Sequence, residues 1–151
     1  MPDAQQFTRE DSLTDLEYAV SVIVAWATRN DVHQETMRRA RCNLPRGHAW
    51  LLGRLEGCGP VRLGELAAVL GIDNSTLTPQ TQRLERDGLV VRETDPADGR
   101  AALVRVTRAG RQLLARLHSS RRALLDEQLS TWPDDDRARA AAILSRLAAA
   151  L

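Results

Sequence analysis

Residues 61–106 read VRLGELAAVLGIDNSTLTPQTQRLERDGLVVRETDPADGRAALVRV, and this stretch decides the fold. Its first segment places apolar residues at helical spacing, and Gly71 is a typical residue to end that helix. Residues 72–74 suit a tight turn, and a second helix follows with Leu77 and Leu84 on one face. The order helix, turn, helix predicts a helix-turn-helix unit.

The leading face of the second helix carries short or hydrogen-bonding side chains rather than bulky apolar ones. These residues are Ser75, Thr76, Thr78, Gln80, Thr81, Gln82 and Arg83. A helix that enters the major groove needs such a surface, because the base edges there present hydrogen-bond donors and acceptors. Pro79 is expected in the first turn, where its missing N–H has no partner anyway, with Asn74, Ser75, Thr76 or Thr78 as the cap. The alternative interpretation is an ordinary helical hairpin whose hydroxyls serve only as caps.

After Gly88 the hydrophobic period changes from helical to alternating. Residues 89–94 predict a strand, residues 95–99 a turn, and residues 103–106 the returning strand. A helix-turn-helix followed by such a ribbon is a winged helix, and the ribbon places Arg100 at the tip of its wing. There the side chain can reach the adjacent minor groove or the DNA backbone.

The segment before this unit is mainly helical. Residues 12–29 predict an amphipathic helix, opened by Ser12 and Asp15 in an arrangement that resembles a capping box. Residues 30–43 are polar and fit either a further helix or a loop. A second apolar helix is expected around residues 49–55, ended by the glycines that follow it.

The segment after the wing also predicts helices. Thr107 is expected to cap a helix that runs to about Leu129. Pro133 and the three aspartates behind it suit the start of a last helix, because acidic side chains favour the positive end of the helix dipole. The fold class is therefore mainly α with a small β-hairpin wing.

Composition excludes several classes of function. The chain has 151 residues and a formal net charge of +1, so it lacks a uniformly basic coat. All 21 basic residues are arginines, which removes lysine Schiff-base chemistry and the P-loop lysine. The histidines are scattered, with neither an HExxH nor a GxSxG motif, and neither cysteine has a CxxC partner. We therefore expect no enzyme, no metal site and no cofactor.

The N-terminal region predicts a protein that stays in the cytoplasm. Residues 1–15 are acidic and lack the basic start of a signal peptide. The most apolar run, residues 18–27, is far shorter than the roughly 20 residues that a membrane helix needs. No membrane association is expected.

Residues 98–110 carry the most specific motif, DGRAALVRVTRAG. It resembles the wing pattern of the MarR family of bacterial transcriptional regulators, D-x-R followed by V-x-L-T-x-x-G, with Val106 in place of the usual leucine. Residues 75–90 resemble the family's recognition helix and its entry into the wing, and residues 63–67 fit the helix before it. The resemblance covers roughly residues 61–110.

This resemblance implies a winged helix-turn-helix flanked by dimerisation helices. The implied units are residues 1–43, an N-terminal dimerisation helix with its connection, residues 44–107, the DNA-binding domain, and residues 108–151, the C-terminal dimerisation helices. The homodimer would place two recognition helices in successive major grooves of a pseudopalindromic operator, about one DNA turn apart. Most such regulators are repressors that a small ligand releases.

The motif and the resemblance together select a set of DNA-binding residues. They are Ser75, Thr76, Thr78, Gln80, Thr81, Arg83, Asp98 and Arg100. Within this set, Asp98 is expected to form a salt bridge or a cap inside the wing and so to position Arg100. Residues 74–105 contain five arginines and five acidic residues. The placement of single arginines therefore matters more than bulk charge, and a helix-turn-helix adaptor that binds protein instead of DNA remains an alternative.

The resemblance also implies a sensor pocket between the winged-helix unit and the dimerisation helices. Candidate ligand-binding residues are Trp26, Arg46, His48 and Trp50, since aromatic rings can stack on a ligand and arginine can pair with a carboxylate. The expected effector is a small aromatic or amphipathic compound. The alternative is that both tryptophans belong to the apolar core.

Cys42 is the candidate for an alternative function, a redox-sensing regulator. It follows Arg38, Arg39 and Arg41, and nearby positive charge stabilises a thiolate. These arginines therefore predict a lowered thiol pKa. Cys58 lies between two glycines and is expected to be incidental.

Overall fold

The computed structural model describes the backbone of residues 9–150. Residues 1–8 of the predicted N-terminal unit, and residue 151, lie outside the described part of the chain. In chain order the elements are α1 (Arg9–Ala27), α2 (Asn30–Arg39), α3 (Arg46–Cys58), β1 (Val61–Arg62), α4 (Leu63–Leu70), α5 (Asn74–Arg86), β2 (Val90–Asp95), β3 (Asp98–Val106), α6 (Arg108–Gln128) and α7 (Asp134–Ala150). This is the mainly helical fold with a small β wing that the sequence predicts.

The N-terminal helices differ from the prediction at their ends. Helix α1 begins at Arg9, so Ser12 lies inside the helix and the predicted capping box is wrong. The segment for which the sequence left a helix or a loop open is a helix, α2. It begins near Asp31 and ends with Arg38 and Arg39, charges that complement the helix dipole at both ends.

The helix-turn-helix consists of α4 and α5. Gly71 follows α4 with a φ of 65°, a left-handed conformation that glycine adopts without steric cost. Pro79 is the sixth residue of α5 and therefore lies in the second turn, not in the predicted first turn. The ring removes one hydrogen bond to the Ser75 carbonyl, and α5 tolerates this loss because Ser75 is exposed to water.

The predicted side-chain cap of α5 is also wrong. Its N-cap is Asp73, without a side-chain hydrogen bond. The Thr78 hydroxyl donates to the Asn74 carbonyl at 2.8 Å and so satisfies an acceptor instead of capping the free N–H groups.

A three-stranded antiparallel sheet in the order β1-β3-β2 forms the wing. Val90 of β2 lies opposite Val106 of β3, and Val61 of β1 lies opposite Val104. Strands β2 and β3 continue to Asp95 and from Asp98, so the turn is tighter than predicted. Strand β1 could not be predicted from the sequence, because its two residues are too few to show an alternating pattern.

One apolar core joins α3, the helix-turn-helix, the sheet and α6. Its fully buried side chains include Leu51, Leu52, Leu55, Leu66, Leu77, Leu84, Val104, Val106 and Leu117. Leu77 and Leu84 anchor α5, as their shared helix face predicts. This core fixes the orientation of the opposite face of α5.

Helices α1 and α7 lie largely outside this core. Helix α7 has no buried residue, and large apolar residues of α1 are exposed. The exposed apolar residues of the two helices are Leu13, Leu16, Tyr18, Val22, Ile23, Val24, Ile143 and Leu144. No described helix combines the length and hydropathy of a membrane span.

Thr107 joins the wing to α6 by hydrogen bonds from both its backbone and its side chain. Its hydroxyl accepts from Gly110 N at 3.1 Å, which confirms the predicted cap. The same hydroxyl donates to the Gly88 carbonyl at 2.7 Å, and Thr107 N donates to the Leu89 carbonyl. The cap therefore also holds the entry of β2.

We expect Thr107→Ala to lower the free energy of unfolding by about 1–2 kcal/mol, because it removes an N-cap and leaves the Gly88 carbonyl without its hydroxyl donor. Urea denaturation followed by circular dichroism measures the change. The control is Thr76→Ala, which removes the same atoms from an exposed site on α5. Equal midpoints for the two variants would contradict the assigned role of Thr107.

Candidate nucleic-acid interface

Helix α5 presents one polar face to solvent. The exposed residues of α5 are Asn74, Ser75, Thr76, Pro79, Gln82, Arg83 and Arg86, and those from Ser75 onward recur at spacings of three and four residues. The opposite face buries Leu77, Thr81 and Leu84. The core beneath α5 therefore determines which side chains a duplex can meet.

Thr81 does not belong to this exposed face. It is 0% exposed, and its hydroxyl donates to the Leu77 carbonyl at 2.9 Å. Position 81 is four residues after Leu77 and three before Leu84, so the helical period places it in the core. The prediction of Thr81 as a DNA-contacting residue is therefore wrong.

Gln80 is half-buried and turned toward α3. Its Oε1 is buried without a hydrogen-bond donor among the described residues. A Cβ built on Gly47 would lie 3.4 Å from this oxygen, an ordinary van der Waals distance, so Gly47 and Gln80 are neighbours where α3 packs on α5. Gln80 therefore contacts the start of α3, and the front of α5 is left to other residues.

Gln82 and Arg86 extend the exposed face beyond the selected set. Arg86 was counted only for its charge, although positions 75, 79, 82 and 86 follow the helical period. Its Nε lies 3.4 Å from the Gln82 carbonyl. Gln82 is already among the polar residues of the leading face, and the helical spacing of these four positions is the signal in the sequence that identifies Arg86 as well.

The wing is fixed by an ion pair between residues 33 positions apart, which no local sequence pattern reveals. Arg62 Nε and Nη2 donate to Asp95 Oδ2 at 2.7 and 2.5 Å. Asp95 Oδ1 accepts from Ala97 N at 2.8 Å, and Asp95 is 7% exposed. The Ala97 N–H first, and then Arg62, lower the pKa of the Asp95 carboxyl. The turn is thus held by a carboxylate that stays charged.

Asp98 and Arg100 lie at the tip of this wing. Asp98 Oδ1 accepts from the backbone N of Arg100 at 3.1 Å, and its Oδ2 lies 3.8 Å from Arg62 Nη2. The Arg100 side chain is exposed and has no hydrogen bond or ion pair to any described residue. Its guanidinium is free to meet a phosphate.

Ion pairs account for most of the charge balance of residues 74–105. Arg83 pairs with Asp87, Arg92 with Glu85, and Arg105 with Glu93. The bond from Arg105 lowers the pKa of the Glu93 carboxyl. Two arginines of this segment have no acidic partner in the part of the chain that the structure describes, Arg86 and Arg100. These two carry its unneutralised positive charge.

The structure does not bring the four candidate ligand-binding residues into one pocket. Trp26 lines a cavity of about 550 Å³ with residues of α2 and α6, whereas His48 lines a separate cleft beside α5. Trp50 is exposed. The guanidinium of Arg46 donates to the main-chain carbonyls of Ala27, at the end of α1, and Arg29, at the start of α2, so its predicted role as a carboxylate partner lacks a free side chain.

The predicted activation of Cys42 is wrong. Burial raises the pKa of its thiol, with a smaller opposing contribution from Arg116, and its Sγ donates to Met37 Sδ at 3.5 Å. Arg38 and Arg39 instead bind carboxylates, Arg38 that of Glu35 and Arg39 those of Glu35 and Glu127. The arginines that precede the cysteine in sequence therefore do not favour its thiolate.

Known proteins provide an independent comparison. A family model described as "MarR family" matches residues 47–102. The uncharacterized HTH-type transcriptional regulator YxaD of Bacillus subtilis (strain 168) is 31% identical over 132 residues, 87% of this chain and 90% of that relative. Among solved structures, the transcriptional regulator Tm0710 from Thermotoga maritima has a TM-score of 0.70 at 26% identity, covering 91% of this chain and 94% of its own. A MarR family protein from Bacillus stearothermophilus has a TM-score of 0.74 at 22% identity, over 93% and 95% of the two chains.

Proposed function

We propose, from the premise that this chain belongs to the MarR family and is a transcriptional regulator, that it binds a pseudopalindromic operator as a homodimer and represses transcription. One observation carries the proposal. Helix α5 exposes Ser75, Thr76, Gln82 and Arg83 above a fully buried opposite face, next to a wing that ends in the unpaired Arg100. Such a helix and wing suit the major groove and the adjacent backbone.

The exposed apolar residues of α1 and α7 support the homodimer. An amphipathic helix gains most of its stability by burying its apolar face against other elements. Regulators of this family function as dimers, and a second copy of the chain would bury both helices at once. We therefore assign residues 1–43 and 108–151 to dimerisation and residues 44–107 to DNA binding.

An amphipathic aromatic effector would suit the cavity beside Trp26. The cavity also borders Arg29 and Arg38, and Leu124 and Gln128 of α6 line its other wall. An aromatic ring would stack on the indole. Arg29 and Arg38 are already paired with Asp31 and Glu35, which line the same cavity, so an acidic group of the effector would have to displace one of these carboxylates. Because the cavity lies among helices assigned to dimerisation, an occupant could change the arrangement of the dimer and release the operator. The proposed DNA partner implies a cytoplasmic location.

The test separates contacts that position the protein from contacts that read sequence. We expect Arg100→Ala to weaken binding to all duplexes by about tenfold for the dimer, and to reduce the slope of log affinity against log salt by about 2, one phosphate for each protomer. Arg83→Ala should instead change which bases are preferred, by about 1–3 kcal/mol of discrimination. Duplexes selected from a random pool, titrated by fluorescence anisotropy at several salt concentrations, measure both quantities.

Arg105→Ala is the matched control for Arg100→Ala. It removes the same charge from the same strand, but Arg105 is already paired with Glu93. Equal salt slopes for the two variants would show that bulk charge, not the wing tip, determines affinity. Failure of the wild-type protein to bind any duplex at low salt would contradict the DNA-binding function and favour a protein-binding adaptor.

A further inference from the structure

Arg46 connects the end of α1 to the first turn of α3. It is the first residue of α3, its Nη1 donates to the Ala27 carbonyl at 3.3 Å, and its Nη2 donates to the Arg29 carbonyl at 3.0 Å. Carbonyls at the end of a helix have no partner within that helix. Only the Ala27 carbonyl belongs to the end of α1; the Arg29 carbonyl is the N-cap carbonyl of α2 and already accepts from His33 N at 3.1 Å, so Arg46 gives it a second donor. One charged side chain thus ties the end of α1 and the start of α2 to α3, and hydrogen bonds from a charged donor are stronger than those between neutral groups.

The orientation of α1 depends on the hydrogen bonds from Arg46. Among the described elements it packs substantially only on α2, the next helix along the chain. The winged-helix unit, by contrast, is held together by the shared core of α3, α5, the sheet and α6. The angle between α1 and that unit is therefore set largely at residues 27–30 and by the bonds from Arg46.

Gly47, the residue after Arg46, lies beside α5, the candidate recognition helix. A Cβ on Gly47 would lie 3.4 Å from Gln80 Oε1, so the first turn of α3 rests on α5 at this point. Of two successive residues of α3, Arg46 thus bonds to the end of α1 and to Arg29, and Gly47 lies beside Gln80 in the middle of α5. A displacement of α1 reaches α5 through one turn of helix.

His33 lies near enough to Arg46 to feel the charge of its guanidinium. Burial first, and then the charges of Arg46 and Arg121, lower the pKa of His33, while the Leu44 backbone opposes this shift. At neutral pH the histidine therefore adds no charge that would repel the Arg46 guanidinium. Arg46 is thus the cation that faces the Ala27 and Arg29 carbonyls from α3.

We propose that Arg46 is a positioning residue that fixes the angle between α1 and the winged-helix unit, and through it the separation of the two recognition helices in the dimer. The inference rests on the homodimer of the proposed function. Two recognition helices must reach grooves about 34 Å apart. A small change in the angle between α1 and the winged-helix unit therefore changes the distance between the two recognition helices. A cap that only stabilised α1 would leave that spacing unchanged.

Pulsed electron paramagnetic resonance on the full chain tests the proposal without an operator. A spin label on Ala102→Cys, at an exposed position of β3, reports the distance between the wings of the two protomers once the native thiols are removed by Cys42→Ala and Cys58→Ser. With Arg46 present we expect one narrow distance distribution. With Arg46→Met the distribution should shift or broaden, and Arg46→Lys should restore it in part, because lysine donates without the fork geometry of arginine.

Arg54→Met is the matched control, since Arg54 is an exposed arginine of the same helix without a hydrogen bond or ion pair to the described residues. It should leave the distribution unchanged. Sedimentation and thermal unfolding establish that each variant is folded and dimeric; if Arg46→Met does not fold, the width for Arg46→Lys decides. The inference would be overturned if Arg46→Met were a folded dimer with the same wing-to-wing distance distribution as the protein that keeps Arg46. The lack of any dipolar signal in the parent protein would instead overturn the homodimer itself.

Discussion

Gly110→Ala is expected to destabilise the winged-helix unit by about 3 kcal/mol, the upper part of the range for overpacking a core. Gly110 is the third residue of α6. A Cβ there would collide with the Leu89 carbonyl oxygen and lie 2.6 Å from Val106 Cγ1. The Leu89 carbonyl cannot move freely, because it accepts hydrogen bonds from both the backbone N and the hydroxyl of Thr107. The methyl group therefore forces α6 away from the wing.

Chemical denaturation followed by circular dichroism measures this effect. Gly57→Ala is the matched control, since a Cβ at that helical position meets no atom within 4 Å. It should leave stability unchanged or raise it by up to about 1 kcal/mol, because alanine favours a helix over glycine. An unchanged unfolding midpoint for Gly110→Ala would show that α6 and the wing do not approach as closely as described.

Features that depend on neighbouring residues could be predicted from the sequence. Gly71 ends α4, Thr107 caps α6, and the alternating residues after Gly88 form the wing. Each is encoded by a residue with a distinct backbone preference or by a short periodic pattern. The prediction for the start of α1 was wrong because it relied on one local signal: Ser12 is a typical cap residue, but the helix already begins at Arg9.

Features that depend on distant residues could not be predicted in this way. Arg62 and Asp95 are 33 positions apart and meet only because β1 joins the sheet. The partners of Arg105 and Arg92 likewise depend on strand register and on how α5 lies against β2. Residues 74–105 contain equal numbers of arginines and acidic residues. The structure shows that three of these arginines form ion pairs within the segment and that two have no acidic partner among the described residues.

Thr81 lies between these two cases. Its hydroxyl suggested a DNA contact, but its spacing from Leu77 and Leu84 already placed it on the buried face. At this position the helical period, and not the hydroxyl group, determines whether the side chain is buried. The same rule, applied to Ser75, keeps Gln82 on the exposed face and adds Arg86 to it.

The other large effect is expected at the exposed helices α1 and α7. Ile23 of α1 is 48% exposed and Ile143 of α7 is 60% exposed, and neither contributes to the core. If a second copy covers both helices, Ile23→Asp combined with Ile143→Asp would place four carboxylates of the dimer in an apolar interface. Each buried and unpaired charge costs several kcal/mol, so the dimer should dissociate.

Dissociation would reduce the affinity for a two-half-site duplex by about 100-fold or more, because the second recognition helix would no longer be held near its groove. Analytical ultracentrifugation and anisotropy titration measure the two effects. Val69→Asp is the control, as Val69 is 76% exposed on α4, outside the terminal helices, and should leave the protein dimeric. The core of the winged-helix unit lies apart from both substituted isoleucines, so the double variant should keep most of its helical signal. A double variant that sediments as the wild-type dimer would mean that these apolar faces are not the interface, and the paired recognition helices would then need another origin.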